Sequence, residues 1–154
     1  MRHAEGRQFI LTEPYPLPPS RDQLRQHPFP YSQIVLAGEL PLTFGRRSAH
    51  QQVLLRPYDA YYSPPFGWDE RGQHTSRKLL GIAIYEGNIS LVLTDHHAEK
   101  GSLGISYHLT ACPITSAGAH IIRALNRKAD SAPSQTNPLL FRAFLQEILE
   151  LLRR

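Results

Sequence analysis

Five histidines (His50, His74, His96, His97, His108) and seven carboxylates between Glu39 and Glu99 are the residues of the central region that could hold a metal or move a proton. A metal site on strands needs imidazoles on inward positions of neighbouring strands, commonly as His-x-His with a carboxylate nearby. His96 and His97 are adjacent, so on a strand they face opposite ways. They also run into Ala98-Glu99-Lys100-Gly101, which reads as a turn, and His74 falls in a charged loop. Only His108 stands on an alternating run, in phase with Ser106 and Gly104, where a hydrogen-bonded wall residue is its expected role. No metal and no cofactor is expected. The chain has no nucleophile elbow, phosphate loop, dinucleotide fingerprint or Cys-x-x-Cys pair, and no two carboxylates stand out as an acid/base couple. Its single cysteine, Cys112, has no activating neighbour in sequence and is expected to pack as a small apolar group. One cysteine allows no internal disulfide, which fits a reducing compartment. The expectation is a protein that is not an enzyme.

Small-molecule binding suits the composition better. A ligand cavity is mostly apolar with a few placed polar groups. The candidate ligand-binding residues are Tyr62, Trp68, Tyr85, Tyr107 and His108, which lie on or next to predicted strands. Trp68, the only tryptophan, sits in the loop Phe66-Gly67-Trp68-Asp69. Tyr61 and Tyr62 must point to opposite faces of a strand, so at most one of them lines a cavity.

The elements that would position these residues fall into three parts. Residues 1–30 carry six of the 13 prolines, interleaved with Tyr15 and Phe29. Proline fixes φ and lacks an amide donor, so this is read as an extended N-terminal arm, either a disordered leader or a segment packed across the barrel, its aromatic residues favouring packing of the second half, with one short helix possible from Ser20 through Arg25. Residues 31–112 are read as a β-barrel or sandwich. Strands are expected at Ser32–Leu36, Gln52–Arg56, Asp59–Tyr62, Lys78–Tyr85, Ile89–Asp95 and Leu103–Leu109, with a long loop from Phe66 to Ser76. A Gly-Asn turn at Gly87-Asn88 signals a hairpin. In the last strand Leu103, Ile105, Tyr107 and Leu109 alternate with Gly104, Ser106 and His108, so one wall should face the core.

Residues 113–154 change to helical spacing. Pro113 suits the first turn of a helix reaching about Arg127, and Ala129–Thr136 reads as a polar linker. Asn137-Pro138 is a cap and first-turn signal for a second helix, Leu139 to Leu152. Its apolar residues cover about half the circumference, wider than the stripe of about 100° that a surface helix buries. The excess predicts self-association through Phe141, Phe144, Leu145, Ile148, Leu149 and Leu152, the alternative being that both flanks pack on the sheet and the preceding helix. A homodimer is the expected assembly.

Seventeen basic and 13 acidic residues leave a net charge of +4. The basic residues are scattered rather than gathered on one face, which argues against direct nucleic-acid binding. No apolar run approaches the roughly 18–20 residues of a membrane span, and the N-terminus leads into no signal-like segment. No membrane partner and a cytoplasmic location are expected.

The passage Val53-Leu54-Leu55-Arg56-Pro57-Tyr58-Asp59-Ala60-Tyr61-Tyr62-Ser63-Pro64-Pro65 resembles the strand, Pro-Gly-Asp, strand, Pro-Pro passage of cupin barrels, with Tyr58 where the glycine usually sits. It also resembles the N-terminal sensor domains of AraC/XylS-type transcription regulators, as do Leu40-Pro41-Leu42-Thr43 after Gly-Glu and the helices at Pro113 and Pro138. The resemblance implies an α+β fold, a cupin-like antiparallel barrel or sandwich followed by two helices. It implies an effector-sensing and dimerising module, with a DNA-binding helix-turn-helix pair following Arg154 in the full protein. The metal-binding His-x-His and Glu of enzymatic cupins are missing. The alternatives are a small metal-dependent cupin enzyme using His108 with His74 or His96, and a dimerisation module without a ligand.

Overall fold

The computed structural model describes residues 8–12, 28–44, 51–67, 69–72, 75–97, 103–131 and 138–152. Nine strands precede two helices: β1 Phe9–Leu11, β2 Tyr31–Gly38, β3 Leu40–Phe44, β4 Gln51–Leu55, β5 Ala60–Ser63, β6 Asp69–Arg71, β7 Arg77–Tyr85, β8 Asn88–His97, β9 Leu103–Pro113, α1 Ser116–Ser131 and α2 Pro138–Leu152. The strands form two open sheets rather than a closed barrel. The larger has the order β1-β5-β2-β7-β8-β9 and the smaller β4-β3-β6. The fold is α+β, in three layers.

Period-two side-chain alternation divides the core. One face of the large sheet, through Ile10, Val35, Tyr61 and Leu79, packs on Leu40, Leu42, Phe44 and Leu55 of the small sheet. The opposite face, through Leu11, Tyr62, Ile82, Ile89 and Leu91, packs on Ile122, Leu125 and Ala129 of α1 and Phe144 and Ile148 of α2. Tyr61 and Tyr62 therefore do face opposite ways, both fully enclosed, because β5 is covered on both faces. Each buried large apolar side chain contributes about 1.5–3 kcal/mol. Tyr62 adds direction: its hydroxyl donates to Asn126 Oδ1 at 2.7 Å and its ring meets Phe144 edge-to-face at 5.8 Å, which seats both helices on the sheet.

Several local expectations are corrected. Within the 1–30 segment, Phe9–Leu11 is a buried edge strand paired in parallel with β5, a strand the sequence did not single out. That parallel pair interrupts an otherwise antiparallel architecture. The short helix expected at Ser20–Arg25 lies outside the described residues. Strand β6 occupies part of the expected 66–76 loop, held by three residues pairing with β3. The hairpin turn is Glu86-Gly87, not Gly87-Asn88. Tyr85 pairs with Asn88, and φ of 48° and 78° at the two central residues gives the type I′ geometry that matches strand twist. Pro113 ends β9 rather than starting a helix. Thr115 is the cap of α1, its Oγ1 accepting from the Gly118 amide at 2.9 Å while donating to Glu147 Oε2 of α2 at 2.8 Å. Helix α1 runs on to Ser131, past the expected linker start, because Ala129 is buried in the core beneath it.

The turn resembling the cupin Pro-Gly-Asp passage forms despite its tyrosine. Tyr58 adopts φ 74°, a left-handed conformation that costs a non-glycine residue about 1–2 kcal/mol. Asp59 compensates. Its carboxylate accepts from the Arg56 amide at 2.9 Å, from the Gln8 amide at 2.7 Å and from Gln8 Nε2 at 3.1 Å. One buried carboxylate thus closes the β4–β5 turn and anchors the start of β1.

Candidate functional site

Most polar side chains of a sandwich interior face outward, but here a connected set faces in. It is built from the end of β1, from β2 and β5, and from β6 of the small sheet. Asp69 and Arg71 stand two apart on β6 and so share its inner face, while Glu70 between them is exposed. The Asp69 side chain is 2 % exposed, with Arg71 Nε 3.9 Å from its Oδ1. Its Oδ2 accepts a short hydrogen bond from the Tyr31 hydroxyl and a longer one, 3.4 Å, from Ser63 Oγ. Ser63 Oγ also meets Thr12 Oγ1 at 2.7 Å, which ties in the end of β1. Gln33 Oε1 accepts from Tyr61 Oη at 2.6 Å and from Arg71 Nη1 at 3.2 Å. The backbone of Gly67 lies against this cluster so closely that a Cβ there would fall 2.3 Å from Ser63 Oγ.

Burial, before any neighbour, pushes the Tyr31, Tyr61 and Tyr62 hydroxyls above the ordinary tyrosine range, so all three act as neutral donors. Beside the cluster lies a cation with no such balance. Arg77 opens β7 and is only 8 % exposed. Its Nη1 donates to the Gly72 carbonyl at 2.5 Å and to Thr75 Oγ1 at 3.1 Å, both neutral acceptors. Burial first, and then the charge of Arg71, lowers its affinity for its proton. Across the ladder, His96 is the registered partner of Arg77, and its Nδ1 donates to the Thr75 carbonyl, 3.0 Å away. Arg77 Nε and His96 Nε2 are both buried with no hydrogen-bond partner among the described residues. No carboxylate pairs with Arg77 among the described residues. A buried guanidinium without a counter-charge is costly, and an anion brought to Arg77 Nε would neutralise it.

The residues picked out from sequence are dispersed. Tyr62 is enclosed under the helices, on the face away from the charged cluster. Tyr85 is 54 % exposed at the end of β7, where its ring meets Phe29 at 5.4 Å. Tyr107 and His108 are exposed on β9, His108 3.4 Å from Ser90 Oγ. Trp68, His50 and His74 lie outside the described residues. Among the described residues no three of His, Cys, Asp and Glu come together as a metal site would require. Of the six dimer residues, Phe144 and Ile148 belong to the core of this chain, and Leu145 packs against that core. The side chains of Phe141, Leu149 and Leu152 lie outside the described set. A hollow of about 440 Å3 lies on the outer face of the small sheet, beside Pro41, Thr43, Gln52, Leu54 and Glu70, and among the described residues none of the expected ligand residues lines it.

Sequence reasoning missed Asp69, Arg71 and Arg77. The usable signal was the i, i+2 spacing of Asp69 and Arg71, which puts opposite charges on one face if the segment is a strand. Reading it as loop hid that. No helix among the described residues is long and apolar enough to cross a membrane. No family model, characterised protein or solved structure matches this chain.

Proposed function

We propose that this chain is the effector-sensing, self-associating domain of an AraC/XylS-type transcription regulator. In this reading it works in the cytoplasm, performs no catalysis, and leaves DNA contact to a separate helix-turn-helix domain. The order of strands followed by two helices and the Pro-Tyr-Asp turn with its following Pro-Pro support the resemblance. The observation that carries the sensing part is the buried Arg77, which meets no carboxylate and leaves its Nε without a hydrogen bond among the described residues, across the ladder from His96. Arg77 Nε suits a small anion, a carboxylate or a phosphate, as effector, and His96 Nε2, left with its lone pair when Nδ1 donates, suits a hydroxyl of that ligand. The ligand would join the Tyr31–Asp69–Arg71–Gln33 cluster across the two sheets and so couple their relative positions. Such coupling requires the ligand to favour one arrangement over the other.

The test is thermal unfolding and isothermal titration of the chain against inorganic phosphate and a panel of small mono- and dicarboxylates, with neutral sugars alongside. The expected result is saturable stabilisation by one anion class, worth about 2.7 kcal/mol at a hundredfold excess over Kd. Arg77→Met should abolish it; the variant also loses the hydrogen bonds to Gly72 and Thr75, so its own unliganded melt is the reference. Anion-independent melting, or an equal response in Arg77→Met, would refute the reading.

A further inference from the structure

The last strand of the large sheet is an edge, and from Gly104 to His108 it carries no charged residue, proline or bulge. Exposed edge strands are normally blunted by charges, proline or shortness, because their free amides and carbonyls recruit another strand. Strand β9 is 11 residues long and pairs only with β8 among the described residues. From Leu103 to Cys112 it contains no charged residue and no proline. Its ladder with β8 is regular through His108, and the bulge falls beyond it, at Leu109. The expectation that one wall of this strand faces the core fails here, because every described side chain from Gly104 to Leu109 is exposed. Ile105, Tyr107 and Leu109 keep 41 %, 49 % and 50 % of their surface open. The cause is topological: the helices cover the large sheet near Ile82, Ile89 and Leu91, and the β8–β9 hairpin extends past them. Tyr107 pairs with Leu93, and Leu93 with Leu80, so the apolar row runs inward along the sheet.

We propose that the β9 edge pairs antiparallel with β9 of a second copy of this chain, joining two six-stranded sheets into one across a two-fold axis. The strand itself selects that occupant. An antiparallel register centred on a residue sets even positions opposite even and odd opposite odd. Centred on Ser106, it puts Ile105 against Tyr107 of the second copy on one face, and Gly104 against His108 on the other. Apolar meets apolar, small meets imidazole, and with no charge in the segment no like charges face each other. This rests on the reading that the domain self-associates, but not on the anion site, and it moves the interface from α2 to β9.

The experiment is sedimentation velocity of the chain over a concentration series, for wild type, Ile105→Lys, Tyr107→Lys and, on α2, Leu139→Lys at a residue 74 % exposed. All three sites are open, so circular dichroism melts should match wild type and show that folding is kept. Wild type should reach twice the monomer mass, and each β9 variant should raise the dissociation constant at least tenfold, about 1.4 kcal/mol or more. Leu139→Lys should leave it unchanged, and amide exchange at 104–108 should slow as concentration rises. A monomer at every concentration would overturn the self-association reading as a whole. A dimer that survives both β9 substitutions would overturn only the surface proposed for it.

Discussion

Replacing Asp59 removes three hydrogen bonds at once, and their geometry sets the expected loss. The carboxylate is 4 % exposed and accepts from the backbone amides of Arg56 and Gln8 and from the Gln8 side chain, at 2.7 to 3.1 Å. A hydrogen bond to a charged group contributes about 1.5–3 kcal/mol, and a donor stranded by its loss costs a further part of its desolvation. Arg56 is exposed and Gln8 half-buried, so water can recapture some of these donors and the three losses do not add fully. Asp59→Ala should therefore destabilise by about 3–5 kcal/mol, and Asp59→Asn, which keeps the shape and one acceptor oxygen, by about half of that. The loss has a location. Gln8 is the entry to β1, and the Ala60 amide donates to its carbonyl at 3.0 Å, so exchange should rise at Ala60 and Thr12 before the rest of the sheet. Strand β1 should stay attached through buried Phe9, Ile10 and Leu11, giving local loosening within a still cooperative fold. Urea unfolding gives the magnitude and amide exchange the location. A loss below about 1 kcal/mol for Asp59→Ala, or unchanged protection at Ala60, would refute the anchoring role.

Three further outcomes follow from named residues. Tyr58→Gly should stabilise the chain by about 1 kcal/mol in urea unfolding, because it relieves the left-handed backbone of a tyrosine that is 57 % exposed. Alkali should unfold the protein steeply: Tyr31, Tyr61 and Tyr62 hold their protons above the free value of 10.0, so the folded state binds more protons than the unfolded one beyond that pH. Their contribution is whole below pH 10 and is lost as pH rises toward the raised folded values, at about 1.4 kcal/mol per pH unit for each tyrosine, which stability curves at stepped pH would read. Phe144→Ala should cost about 3–5 kcal/mol through the cavity left against Tyr62, measurable by chemical denaturation with the dimer constant at matched stability unaltered.

The sequence by itself determined which stretches become strands and where helices take over. Alternation and turn residues exposed β2, β4, β5, β7, β8 and β9 to within a few residues, and the shift to helical spacing exposed α1 and α2, because these periods are local properties of the backbone. Only the tertiary structure decided what each face meets. Strand β1 is three residues held by a parallel pairing 51 positions away, and β6 is three residues whose strand character comes from β3, so neither has a local period to read. The wide apolar face of α2 left self-association and packing within the chain both open, and Phe144 and Ile148 find their partners beneath the helix. In β9 the same alternation predicted a buried wall, and the strand instead lies at the sheet edge with both walls open. Arg77 shows the same limit at the candidate site: its charge is plain in the sequence, but a charge becomes an energetic problem only once it is enclosed, and enclosure depends on Thr75, His96 and the small sheet arriving from elsewhere in the chain.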